Sequence, residues 1–132
     1  MEAKKPKILV VDDESDLVYL MEQRLVSYGF EVETACDGEE SLKKTQTFRP
    51  DAIFLDVVMP GMSGWETCRK LRAMPETKSV LIVILTATQP SEVEKEIKAS
   101  GADCSLIKPV DDDELIAMLS KITPARTEQS CL

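Results

Sequence analysis

Along this chain, short β-branched runs alternate with stretches in which apolar residues return every three or four positions. Lys7 to Val11 is such a run and stops at Asp12 and Asp13, the pattern of a parallel strand buried on both faces. Leu17, Val18, Met21, Leu25 and Tyr28 recur at helical spacing, and Gly29 is placed to end that helix. A second strand is predicted at Glu31 to Ala35. Asp37 and Glu40 form a capping-box-like pair for a helix running to about Phe48, ahead of Pro50, and Ala52 to Asp56 makes a third strand. Ser63 with Glu66 opens the next helix, through Cys68 and Leu71 to near Ala73. Val80 to Leu85 is the most apolar strand, closed by Thr86. A helix from about Ser91 to Ser100 carries only Val93 and Ile97 as clear anchors and is expected to be weakly held, with Gly101 as its stop. Cys104 to Ile107 gives a fifth strand, and Asp111 caps a last helix with Leu115, Met118, Leu119 and Ile122 inward.

Five strands alternating with five helices predict a doubly wound α/β fold, a five-stranded parallel sheet with helices on both faces. One domain is expected over residues 1–122, with a flexible C-terminal tail at 123–132. In such sheets the functional crevice lies at the carboxyl ends of the strands, where the strand order reverses. Asp12 and Asp13 follow strand one, Asp56 ends strand three, Thr86 ends strand four and Lys108 follows strand five. All five therefore belong at one end of the sheet.

Composition narrows the function classes. The 132 residues are 43% hydrophobic and 30% charged, the profile of an ordinary globular domain. A net charge of -8 without clustered Lys and Arg argues against direct binding of nucleic acid. The longest apolar run is far too short to span a bilayer, and the first residues lack a signal peptide's apolar stretch, so no membrane role and a cytoplasmic location are expected. Cys36, Cys68, Cys104 and Cys131 have no paired spacing and suggest neither a zinc site nor a disulfide framework.

Gathering three carboxylates costs energy: two like charges about 4 Å apart near a protein surface repel by roughly 4 kcal/mol. Either carboxyl pKa values rise or a cation sits among them. Magnesium suits such a set, since it prefers oxygen ligands and commonly combines one or two carboxylates with water and phosphate oxygens. Lys108 can neutralise part of the remaining charge and pair with a phosphoryl oxygen.

Val10-Val11-Asp12-Asp13-Glu14, Leu55-Asp56-Val57-Val58-Met59-Pro60-Gly61-Met62-Ser63-Gly64, Leu85-Thr86-Ala87 and Ile107-Lys108-Pro109 together closely resemble the receiver domain of two-component response regulators, over about residues 6 to 122. The resemblance implies a CheY-like, flavodoxin-like sheet with strand order 2-1-3-4-5. It implies a phosphorylation switch: Asp56 accepts a phosphoryl group from the phosphohistidine of a histidine kinase or histidine phosphotransfer protein. The metal is Mg2+, with Mn2+ as a substitute, held by Asp13, Asp56 and the Val58 backbone carbonyl, with Asp12 acting through bridging water. Thr86 would hydrogen-bond the arriving phosphoryl group and bias the helix that follows, changing partner binding around helix four, strand five and helix five. A cis bond is expected between Lys108 and Pro109, and weak homodimerisation is common in the family. Such a domain takes part in its own phosphorylation but is not a turnover enzyme on an external substrate.

Each residue also has a plainer reading. Asp12 and Asp13 could simply cap the first helix, Asp56 could be a turn residue, Thr86 a strand residue and Lys108 a solvated charge; their joint placement favours the site. Trp65 and Met62 are read as packing and turn residues, and Ser63-Gly64 as a helix entry rather than a phosphate loop. The family often carries Tyr or Phe shortly before the lysine, and Leu106 is read as occupying that position, so an aromatic rotamer switch is expected to be absent. Val58 and Thr88 would flank the attacking water, and Val58 cannot orient it, which predicts slow self-dephosphorylation. Three rivals remain: an aspartate-nucleophile phosphatase, disfavoured because Val58 stands where a second acid is wanted; a flavin or nucleotide binder, disfavoured by the acidic first loop; and a receiver-like interaction module that is not phosphorylated.

Overall fold

The computed structural model describes residues 5–122, so the tail expected at 123–132 lies outside the described residues. Five strands, β1 (Lys7–Val11), β2 (Glu31–Ala35), β3 (Ala52–Asp56), β4 (Leu81–Thr86) and β5 (Cys104–Ile107), form one parallel sheet in the order β2-β1-β3-β4-β5. The connecting helices are α1 (Ser15–Ser27), α2 (Gly38–Phe48), α3 (Gly64–Ala73), α4 (Pro90–Ser100) and α5 (Asp112–Leu119). The order reverses between β1 and β3, which places the crevice beside the ends of those two strands.

Period-two alternation divides the strand residues between two cores. Ile8, Val10, Phe54, Val83, Leu85 and Leu106 face α1 and α5 and pack with Met21, Leu25, Leu115 and Met118. Leu9, Val11, Ile53, Leu55, Ile82 and Ile84 face the other way and pack with Cys68 and Leu71 of α3 and, more loosely, Leu42 and Phe48 of α2. Every residue of β3 is buried, as its central place requires. Removing apolar surface from water on both faces is the main stabilising term, and it leaves the loops at the strand ends free to be polar.

Helix ends follow the sequence closely. Asp37, Ser63 and Asp111 each accept a hydrogen bond from the amide three residues on, at 2.8, 3.1 and 3.2 Å. The Glu40 carboxylate reaches back to the Cys36 amide at 2.8 Å rather than to that of Asp37, a variant of the expected capping box. Gly29 and Gly101 have φ of 95° and 88°, the left-handed conformation that favours glycine after a helix.

Three details differ from the sequence pattern. β4 begins at Leu81, not Val80, because the Val80 amide is still held by the turn carbonyl of Thr77 at 3.3 Å, whereas Leu81 bonds across to Asp51. On α1 only Met21 and Leu25 are buried; Leu17 near its start and Tyr28 at its C-cap lie exposed. Leu106, read as standing at the position of a surface aromatic switch, is instead a core residue facing Leu85 and Leu115. The reason is strand alternation: the side chain turned the other way, beside Ile97 and Lys98 of α4, belongs to Ser105. Leu106→Tyr should therefore overpack the interior and lower stability by about 1–3 kcal/mol in urea unfolding, while Ser105→Tyr changes it by less than about 0.5 kcal/mol.

Candidate functional site

The strand ends bring the expected groups together. Val11 pairs with Ala35, Asp56 with Leu85 and Thr86 with Ile107, so Asp12, Asp13, Asp56, Thr86 and Lys108 all emerge at one edge of the sheet. Carboxylate oxygens of Asp12, Asp13 and Asp56 lie within 4.8 Å of one another, with Asp12 and Asp56 buried and Asp13 exposed. The Lys108 ammonium donates to Asp56 at 3.0 Å and to Asp12 at 3.3 Å, and lies 3.8 Å from Glu14. One ammonium against the carboxylates of Asp12, Asp13, Glu14 and Asp56 leaves the cluster net negative.

Asp12 is not the cap of α1. That helix starts after Glu14, without a side-chain cap, and Asp12 uses Oδ1 to accept from the Glu14 amide at 3.1 Å while Oδ2 faces Lys108. The plainer reading of the acidic pair is thus not realised by Asp12.

Burial pushes the Asp56 carboxyl above the ordinary carboxylate range; the hydrogen bond and charge of Lys108 pull against it, while the charges of Asp12 and Asp13 push with it. Burial likewise lowers the Lys108 ammonium, but its bonds to Asp56 and Asp12 and their charges outweigh that and hold it above the usual lysine range. The cluster is therefore short of positive charge.

The donor set fits a small hard cation. Magnesium at roughly 2.1 Å from each ligand wants oxygens about 3–4 Å apart, close to the spacing available here, and it tolerates water at the remaining positions. Asp13, the most exposed of the three, is the one best able to keep such waters.

The other expected residues fall around this cluster. Thr86 is buried, and its hydroxyl oxygen accepts from the Thr88 amide at 3.1 Å, a local turn rather than a bond to the carboxylates. Ala87, next to it, is exposed. Val58 is 79% exposed, and its hydrocarbon side chain leaves its backbone carbonyl as the one group it could offer a metal. The Lys108–Pro109 bond is cis. Trp65 packs at the edge of the α3 core, and Ser63 caps α3, as read from the sequence.

Glu14, not singled out beforehand, adds a third carboxylate beside Lys108. Gly64, read as part of a helix entry, also lets α3 start directly against the site: a Cβ there would overlap the Asp56 carbonyl oxygen and come within 2.8 Å of Val57 Cα. Its amide donates to Val57 at 2.8 Å, fixing the loop that follows Asp56. A glycine in the first turn of a helix, where it is entropically unfavourable, was the available signal.

Comparison with known proteins agrees with this geometry. Residues 8–120 match the response regulator receiver domain family. The chain belongs to that family. It is 42% identical over 112 residues to the phosphate regulon transcriptional regulatory protein PhoB of Rhizobium meliloti, covering 85% of this chain and 49% of that protein. It is 41% identical over 117 residues to the response regulator PleD of Caulobacter vibrioides, covering 89% of this chain and 26% of that protein. The receiver chain thus spans half or less of these two relatives. Among solved structures, the chemotaxis protein CheY4 of Vibrio cholerae superposes with a TM-score of 0.85 at 37% identity, covering 90% of this chain and 99% of that one. The receiver domain of the sensor histidine kinase PA1611 of Pseudomonas aeruginosa, solved with a magnesium ion in its active-site cleft, superposes with a TM-score of 0.81 at 28% identity, covering 90% and 98%.

The raised Asp56 carboxyl has a consequence for stability. An acid whose folded pKa lies above its unfolded one binds more protons when folded, so its contribution is lost as pH rises from near 3.8 through the folded value. Ionised Asp56 is therefore a cost at neutral pH. In metal-free buffer, Asp56→Asn should raise the melting temperature at neutral pH, and the gain should shrink as pH falls through the carboxylate range. Calorimetry across that range checks it; no gain at neutral pH would mean that Lys108 offsets the burial completely.

Proposed function

We propose that this receiver domain is a cytoplasmic switch that takes a phosphoryl group onto Asp56 from the phosphohistidine of a histidine kinase or histidine phosphotransfer protein, with magnesium bound. The observation that carries this reading is the Lys108 ammonium bridging Asp56 and Asp12 with Asp13 alongside. An Asp56 oxygen attacks phosphorus, the phosphorus–nitrogen bond breaks, and the imidazole leaves with the bonding electrons and takes up a proton. Asp13, Asp56 and the Val58 carbonyl would hold Mg2+, or Mn2+ in its place, with Asp12 acting through water; the bound ion supplies neutralising charge on the transferring oxygens. Lys108, already beside Asp56, pairs with a phosphoryl oxygen. The Thr86 hydroxyl exchanges its local turn contact for the phosphoryl group, and this biases the start of α4.

Output then passes through the surface made by α4, β5 and α5, where a downstream partner or a second copy in a weak homodimer would read it. The domain catalyses its own modification and is not a turnover enzyme on an external substrate.

Incubation with magnesium and acetyl phosphate should add the mass of one phosphoryl group to the wild-type chain and nothing to Asp56→Ala. No addition, or equal addition to both, would leave a non-phosphorylated interaction module as the better reading. With the apolar, outward Val58 two residues after Asp56, water is poorly oriented for attack, so the phosphorylated form should survive for minutes or longer after the donor is removed. Mass spectrometry over time checks this; decay within seconds would contradict it.

A further inference from the structure

We infer that Arg24 is a positioning residue for Lys108, and through it for phosphoryl transfer at Asp56; the inference rests on the function proposed above. Arg24 lies in the last turn of α1 and is only partly exposed. Its guanidinium donates to the Val110 carbonyl at 3.2 Å and to the Asp112 carboxylate at 2.9 Å. Those acceptors flank Asp111, whose side chain caps α5 through the Glu114 amide. Arg24 thus holds the loop that begins at Lys108 at its far end, through Val110 and Asp112.

The contacts close a circuit. From Asp12 the chain enters α1, crosses from Arg24 to Val110, returns through Pro109 to Lys108, and ends with the Lys108 ammonium 3.3 Å from Asp12. On the strand side the same loop is tied by the Lys108 amide to the Thr86 carbonyl at 2.8 Å. A lysine stem is flexible and does not set the position of its own charge. Fixing the backbone at both ends of the loop lowers the entropy lost when the ammonium sits between two carboxylates.

The chemistry of the clamp is specific to arginine. Arg24 reaches its two acceptors from two separate nitrogens of a rigid planar fork, whereas a lysine would have to share one ammonium between them without fixing their geometry. The ion pair to the exposed Asp112 alone would be worth little; the carbonyl of Val110 is the contact that links α1 to the lysine loop. Tyr28 provides an internal control, since its hydroxyl donates to Asp112 at 2.8 Å but reaches α5 and not Val110.

A double-mutant cycle on the full chain tests this, with uptake from acetyl phosphate and magnesium followed by intact mass and each variant shown folded by its melting curve. Arg24→Ala should slow uptake about five- to tenfold in the wild-type background and less than about twofold in Lys108→Ala, because its effect runs through that lysine. Arg24→Lys should restore only part of the loss, and Tyr28→Phe should stay within about twofold of wild type. Equal slowing in both backgrounds, or no slowing while the wild type is phosphorylated normally, overturns the inference and leaves the proposed function standing. A wild type that takes up no phosphoryl group overturns the proposed function and the inference with it. Where Lys108→Ala reacts too slowly to time, the same cycle is read as affinity for beryllofluoride with magnesium by 19F NMR; non-additive losses are expected there, and additive losses overturn the inference.

Discussion

The structure depends on one electrostatic constraint, the placement of three carboxylates around one ammonium at the end of a hydrophobic sheet. Asp12 and Asp56 are 4% and 5% exposed, and bringing them together without Lys108 would set buried like charges against each other. Lys108 answers part of that charge but not all of it. That deficit is the feature on which the proposed function rests, since a site short of positive charge suits a cation and a phosphoryl group whose oxygens need the same partners.

Such a site is tolerable because stability comes from elsewhere. The three central strands, β1, β3 and β4, are almost wholly apolar and buried between helices on both faces, and among the described residues no buried side-chain polar atom lacks a partner. The repulsive cluster sits where the strands have ended and the ladder no longer needs the backbone. Receiver domains share this division, in which a rigid sheet positions chemical groups that it does not itself use, and the family signals through phosphorylation on that scaffold.

The elements around the site differ in how firmly they are held. The C-terminal end of α4 is tied down: Arg72 donates to the Gly101 carbonyl at 2.7 Å and pairs with Asp103 at 2.7 Å, and Asp103 also accepts from the Ile82 amide at 2.8 Å. Its N-terminal end has no side-chain cap. A shift at Thr86 therefore meets the end of α4 with fewer fixed contacts, which suits an output element drawn from the less stable part of a fold. With Leu106 buried and Ser105 on the α4 side, β5 carries no aromatic ring on that face, so in the proposed switch a change at Thr86 would pass through the backbone after it and the packing of α4.

The sequence by itself determined the strands, the helix caps and the set of residues at the strand ends, because these follow from local periodicity and from side chains bonding amides a few residues away. Asp37, Ser63 and Asp111 cap where their spacing says they should, and Asp12, Asp13, Asp56, Thr86 and Lys108 share an edge because parallel strands all end on one side. Only the tertiary structure decided which way each side chain faces and what it meets. Leu106 and Ser105 are adjacent in the chain, and the face each occupies depends on the register of an edge strand. Asp12 could have capped α1, and it turns instead to Lys108, ninety-six positions away. Arg24 meets Val110 across a similar gap. Contacts of that range are set by how the helices dock on the sheet, a property of the packed whole that no local pattern encodes.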